Sequence, residues 1–171
     1  MGPAVFAGSP PMFDQETFDR LLPMACEWAK AQEAFILSRG TALDGRYSGD
    51  AHRIGVRNVA QVRVLVVDRM PMPEDETLAT AALHTQIITE ACRGVAIGHG
   101  IIIRADAWGN RELLLHQLVH VAQCERSGGL EPFVRQYLRD RRQCGEFRIG
   151  ALEQEARRVA HEFCQANEAV V

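Results

Sequence analysis

The stretch RELLLHQLVHVAQCERSGG, residues 111–129, predicts an apolar helix that carries two histidines. Asn110 can cap its first turn, and the glycine pair at 128–129 can end it, because glycine readily adopts the left-handed conformation common after helices. His116 and His120 are four residues apart, so both imidazoles lie on one face about one turn apart. Most other positions of this helix are apolar: Leu113, Leu114, Leu115, Leu118, Val119, Val121 and Ala122.

The two histidines of this helix are candidate ligands of a zinc ion. Neutral imidazoles in apolar surroundings need polar partners, since unpaired buried polar groups are costly. Hydrogen bonds to carbonyl groups are the alternative, and they would make both histidines structural. A third ligand from a later helix would give the catalytic zinc pattern, which keeps one position open. Glu153 and Glu155 are the candidates, and Glu153 follows His120 by 33 residues.

The remaining patterns predict an α+β fold in one domain, residues 1–171, with residues 1–13 as an N-terminal arm. A helix begins at Asp14 and ends at Gly40, and Pro23 can kink or divide it. The turn formers of TALDGRYSGDAHRIG, residues 41–55, predict a loop. A β-branched cluster at residues 62–67 predicts a strand, and prolines with acidic residues at 71–76 begin a short helix that ends near His84.

The second half of the chain continues this pattern. GVAIGHGIIIRAD, residues 94–106, has the dense β-branching of a strand. After the histidine helix, residues 130–143 and 150–167 predict two more helices, separated by a turn that contains Gly145. The predicted architecture is therefore a small sheet packed with the histidine helix and the C-terminal helices.

Composition narrows the functional classes. The chain has 171 residues, 47% apolar and 24% charged, which is typical of a soluble globular domain and excludes disordered and collagen-like classes. A net charge of −3, with Lys30 as the only lysine, provides no polycationic surface for nucleic acid. Five irregularly spaced cysteines argue against a disulfide framework. We find neither a secretory signal nor an apolar run of membrane-spanning length, so we expect a cytoplasmic protein without membrane contact.

The segment from about Gly98 to Ala160 resembles the zincin metallopeptidases. HQLVHVAQ is similar to their HExxH helix, and LEQEA is similar to the ExxA segment of the gluzincin branch. The resemblance implies a compact zincin-like domain in which His116, His120 and Glu153 bind zinc, with Glu155 as a fallback ligand. It also implies hydrolysis of a peptide or other amide bond in a peptide or protein substrate. Arg157 departs from the ExxAD pattern of comparable membrane endopeptidases.

The main departure from the family pattern is Gln117, which stands where the family has the general-base glutamate. An amide cannot take a proton near neutral pH, so the usual mechanism loses its base while the metal ligands remain. Three explanations stay open: an introduced Glu-to-Gln change, a natural pseudoenzyme, or a base supplied by another group. A non-catalytic zinc-containing peptide-binding module is therefore the main alternative function. An interaction domain without metal is a third.

Other side chains are weaker candidates. Tyr137 can reach the oxyanion of a tetrahedral intermediate, as tyrosines do in gluzincins, although a helical tyrosine is more often part of the core. Arg104 and Arg111 can orient a substrate carboxylate. Cys124 is expected to pack rather than to act as a nucleophile. We expect the strand GIIIRAD to be the sheet edge along which an extended peptide binds.

Overall fold

The computed structural model describes residues 14–85, 87–89, 91–144 and 149–168. The predicted N-terminal arm and the turn at Gly145 lie outside these residues. The described residues form an α+β fold with six helices and a four-stranded mixed sheet, which confirms the predicted class. The helices are α1 (Gln15–Arg39), α2 (Gly45–Ile54), α3 (Glu76–His84), α4 (Arg111–Arg126), α5 (Leu130–Cys144) and α6 (Ala151–Glu168). The strands are β1 (Thr41–Ala42), β2 (Arg63–Val67), β3 (Gly94–Ile97) and β4 (Gly100–Arg104).

The sheet has the strand order β1-β2-β4-β3. β2 and β4 are parallel, whereas β1 and β3 pair antiparallel with their neighbours. Ile101 and Ile103 of β4 pack into the core that contains α4, while Ile102 packs with Ile36 of α1 on the other face. Helices thus cover both faces of the central strand, which explains its continuous apolar run.

The single strand predicted at residues 94–106 is wrong, because these residues form the hairpin β3–β4. Gly98 lies in its two-residue turn with a φ of 62°, a conformation that glycine adopts without a steric penalty. The Glu33 carboxylate packs where a side chain on Gly98 would lie, and its Oε1 accepts a hydrogen bond from the His99 amide at 2.8 Å. β4 pairs with β2 on one side and with β3 on the other, so β4 is an inner strand and β3 is the outer one. The expected edge at GIIIRAD is therefore also wrong.

The loop predicted at residues 41–55 is wrong as well, since most of it forms α2. Asp44 caps this helix by accepting a hydrogen bond from the Tyr47 amide at 2.9 Å, and Gly55 ends it at a φ of 106°. Asp50 is 1% exposed and forms an ion pair of 2.7 Å with Arg111 of α4. Burial against α4 stabilises a segment whose composition by itself favours turns.

The helices predicted at residues 14–40, 130–143 and 150–167 are observed close to their expected bounds. α3 ends at His84 as expected but begins at Glu76, after the prolines that were expected in its first turn. α1 continues through Pro23 without a break, and the Asp14 carboxylate caps it by accepting from the Thr17 amide at 2.7 Å. α6 packs along α4, and α5 packs against α1. In the parts of the chain that the structure describes, no helix has both the length and the apolar character needed to span a bilayer.

Candidate metal centre

His116 and His120 project from the same face of α4, as their spacing predicts. The Asn110 side chain begins this helix by accepting a hydrogen bond from the Leu113 amide at 3.0 Å. The Nε2 atoms of the two histidines lie 3.1 Å apart, and their ring centroids are 4.7 Å apart in an edge-to-face arrangement. Both rings therefore direct the same nitrogen toward one point.

Glu153 in the first turn of α6 completes what we call the His–His–Glu cluster (His116, His120 and Glu153). Its Oε1 lies 3.3 Å from His116 Nε2, and its Oε2 lies 3.2 Å from His120 Nε2. In a tetrahedral zinc site, bonds of about 2.0 to 2.1 Å place ligand atoms roughly 3.3 to 3.4 Å apart. The three side chains could thus hold a metal ion with little movement.

Gln123 determines the tautomer of His120. The Gln123 Nε2 group donates to Leu152 O and to Glu155 Oε2, both at 2.9 Å. Since these partners are acceptors, the other end of the amide facing His120 is the oxygen, and it lies 2.8 Å from His120 Nδ1. Nδ1 must then carry the hydrogen, so neutral His120 presents the lone pair of Nε2 to the cluster.

The electrostatics of the cluster favour a cation. Burial acts to raise the pKa of Glu153, but hydrogen bonds and charge from His116 and His120 outweigh it and hold the pKa well below its ordinary value. The carboxylate is therefore ionised and faces two ring nitrogens. When both imidazoles are neutral and present the Nε2 lone pair, the three ligand atoms at 3.1–3.3 Å repel one another unless a metal ion lies between them.

Glu155, the fallback ligand, points away from the cluster. Its carboxylate accepts hydrogen bonds from Gln123 Nε2 and from Arg126, the latter at 2.8 and 2.9 Å. Glu155 therefore supports the residue that orients His120. Sequence reasoning did not identify Gln123, although an amide three residues after His120 on the same helical face is a signal for such a partner.

Tyr137 of α5 lies beside the cluster. Its hydroxyl group donates a hydrogen bond to Glu153 Oε2 at 3.4 Å, and its ring contacts the His120 ring at a centroid distance of 5.8 Å. Burial and the nearby Glu153 charge raise the pKa of Tyr137, so the phenol stays protonated at neutral pH. It is a hydrogen-bond donor at the edge of the cluster.

Gln117 is 3% exposed and lines the same cavity as the cluster. Among the described residues, no hydrogen bond to its side-chain amide is formed. The start of β3 lies close to this amide. A methyl group placed on Gly94 would be only 3.3 Å from Gln117 Nε2, so the close approach depends on a glycine at residue 94. The side-chain amide of Gln117 is thus available to a ligand in the cavity.

The cavity has a volume of about 360 Å³ and lies between α1, α3, β3, α4, α5 and α6. This volume is in the range of small-molecule sites. Aliphatic and aromatic side chains form most of its wall, and the His–His–Glu cluster with Gln117 forms a polar part of it. The cluster is therefore accessible from a largely apolar space.

Three other candidates lie in structural contacts. Arg111 pairs with the buried Asp50, and Arg104 binds Asp106 with hydrogen bonds of 2.6 and 2.8 Å. Cys124 is 3% exposed, and burial raises the pKa of its thiol to about 12. All five cysteines are free thiols.

Comparison of the chain with protein-family profiles, with curated proteins and with solved structures finds no match in any of the three.

Proposed function

We propose that this protein is a zincin-like, zinc-dependent hydrolase of peptide or other amide bonds in which Gln117 occupies the general-base position. The observation that carries the proposal is the convergence of two imidazole Nε2 atoms and one carboxylate at 3.1–3.3 Å. Three ligands of this kind leave the fourth position of a tetrahedral zinc ion open, as catalytic sites do. The resemblance of HQLVHVAQ and LEQEA to the zincin motifs supports it.

The residues of this chain have distinct roles in the proposal. Zinc bound here would polarise the substrate carbonyl and activate water. His116, His120 and Glu153 would hold the ion, and Gln123 would keep His120 in the required tautomer. Tyr137 would donate a hydrogen bond next to the reacting group. β3 is the outer strand beside the cluster, so an extended peptide or protein substrate would pair with it.

A non-catalytic zinc-containing peptide-binding module is the second candidate. Gln117 favours it, because an amide can donate a hydrogen bond but cannot accept a proton near neutral pH. Both candidates are proposed for a cytoplasmic protein that contacts neither nucleic acid nor membrane. The free cysteines and the net charge of −3 support that setting.

The substitution Gln117→Glu separates the two candidates. Glutamate matches glutamine in shape and introduces a base next to His116, so peptide-library cleavage should rise about 10² to 10⁴-fold if the protein is a hydrolase that lacks its base. The double variant Gln117→Glu, Glu153→Ala is the matched control and should lose this gain together with the metal. Normal zinc content without cleavage, while the unaltered protein captures peptides, would favour the binding module.

A further inference from the structure

The wall of the cavity next to the His–His–Glu cluster consists largely of hydrocarbon groups. Its apolar members include Leu22 and Ala25 of α1, Leu78 and Ala81 of α3, and Phe133 of α5. Among the charged groups of the wall, Arg141 Nε donates to Thr85 O at 2.9 Å, and Arg142 donates to Gln15 at 2.6 Å. A ligand in this space therefore meets mainly aliphatic and aromatic surface.

The polar part of the wall has a defined charge once the cluster holds a divalent ion. With both imidazoles neutral, Glu153 supplies the single negative charge among the three ligands, so a zinc complex keeps one net positive charge. Arg157, whose Nε lies 3.1 Å from Glu153 Oε1, adds to this positive potential. An anionic group beside the cluster is therefore favoured electrostatically.

The neutral side-chain amide of Gln117 can donate a hydrogen bond to an anionic ligand. Gln117 is 3% exposed and lines the cavity, and its side-chain amide has no hydrogen-bond partner among the described residues. A ligand carboxylate can bind the metal ion with one oxygen and accept a hydrogen bond from the Gln117 N–H group with the other. A glutamate at this position would instead face the ligand carboxylate with a like charge, and the pair would repel.

We infer that the cavity binds an aliphatic monocarboxylate, with its chain against the apolar wall and its carboxylate between the His–His–Glu cluster and the Gln117 amide. An alkyl chain needs no hydrogen bonds, whereas a peptide that extended into the cavity beyond the edge of β3 would bring donors and acceptors that the hydrocarbon wall leaves unpaired. The inference rests on the metal centre of the proposed function but not on hydrolysis.

The test is calorimetric titration of the zinc-loaded protein, with zinc content verified, using sodium decanoate below its micellar concentration. Affinity should fall about three- to fourfold for each methylene removed toward octanoate, as expected for transfer of a chain out of water. Decanol lacks the charged group, and acetate lacks the chain, so each should bind at least about tenfold more weakly than decanoate. Removal of zinc should also weaken decanoate binding at least about tenfold.

Variants locate the ligand. Gln117→Glu should weaken decanoate binding by about tenfold or more at unchanged zinc content, through like-charge repulsion. Gln61→Glu makes the same charge change at an exposed position away from the cavity and should leave binding unchanged. Ala25→Phe should reduce decanoate binding by filling part of the cavity; if it does not fold, the comparison of decanoate with decanol and acetate in the unaltered protein decides the same point.

Several outcomes would overturn the inference. Equal decanoate affinity with and without zinc, or in Gln117→Glu, would place the carboxylate elsewhere. Tighter binding of an acetylated trileucine peptide than of decanoate would identify a peptide ligand instead. Zinc uptake without decanoate binding would overturn this inference alone, while a protein that takes up no zinc would overturn the proposed function as well.

Discussion

The ring of His120 and the side-chain amide of Gln123 form a hydrogen bond in which Nδ1 lies 2.8 Å from Oε1. Gln123 is 1% exposed and is held from its other end by Leu152 O and Glu155, which belong to α6. The helix that supplies Glu153 to the cluster thus also orients one of the histidines on α4. Outer contacts of this kind affect metal affinity through the ligands they position.

Gln123→Met should weaken zinc binding by about 10- to 100-fold, because it removes the acceptor that orients His120. The variant should also lower the free energy of unfolding by roughly 1–3 kcal/mol, since buried acceptors lose their donor. Chelator competition measures the zinc affinity, and urea unfolding measures the stability. Gln136→Met, at an exposed position of α5, is the control. Unchanged zinc affinity in Gln123→Met would show that Gln123 is not a positioning residue.

The unaltered protein should bind about one zinc ion per chain, since the cluster supplies three of the four ligands of a catalytic site. His120→Ala should abolish stoichiometric binding, and metal analysis of the purified proteins measures it. His52→Ala removes an exposed histidine of α2 and should have no effect. Stoichiometric zinc in the double variant His116→Ala, His120→Ala would exclude the assignment.

Glu153→Ala should reduce metal retention far more than Glu155→Ala. Glu153 lies 3.2 and 3.3 Å from the two Nε2 atoms, whereas Glu155 contacts Gln123 and Arg126. We expect the loss of Glu155 to act indirectly, by loosening Gln123. Dialysis against a chelator followed by metal analysis compares the two variants. Equal losses, or a greater loss in Glu155→Ala, would contradict the choice of Glu153 as the third ligand.

Glu125, near the end of α4, should contribute to stability in a pH-dependent way. Its carboxylate accepts from the amides of Arg57 and Asn58 at 2.6 and 2.9 Å and lies 2.9 Å from His99 Nε2. Burial acts to raise the pKa of Glu125, but these hydrogen bonds outweigh it and leave the pKa lowered. The stabilisation is therefore complete above the unfolded-state pKa of about 4.3 and is lost as the pH falls through the lower folded-state value.

The substitution Glu125→Gln tests this linkage. At pH 7 it should lower the free energy of unfolding by roughly 1–3 kcal/mol, because an amide cannot accept from all these donors. The difference from the unaltered protein should shrink at pH values below about 4, where the native carboxylate also takes up a proton. Urea unfolding at both pH values measures it. A difference that does not vary with pH would show that the charge of Glu125 contributes nothing.

Local patterns in the sequence predict the histidine face of the cluster. His116 and His120 meet because any α-helix brings residues four apart to one side, and the capping residue Asn110 lies where the pattern places it. The α+β class and the helices around residues 130–143 and 150–167 follow in the same way from apolar periodicity and from glycine positions. These features depend on neighbours close in the chain, so a single sequence contains the necessary information.

Only the tertiary structure determines which groups meet the histidines. Glu153 and Glu155 are two positions apart and point to different sides of α6, so the packing of α6 on α4 decides that Glu153 faces the cluster. The same packing brings Leu152 O and Glu155 to Gln123 and so sets the tautomer of His120. The hairpin turn at Gly98 and the burial of α2 by the Asp50–Arg111 pair likewise depend on contacts between residues distant in sequence. Such contacts gain their energy from burial in the folded chain, and no local pattern encodes them.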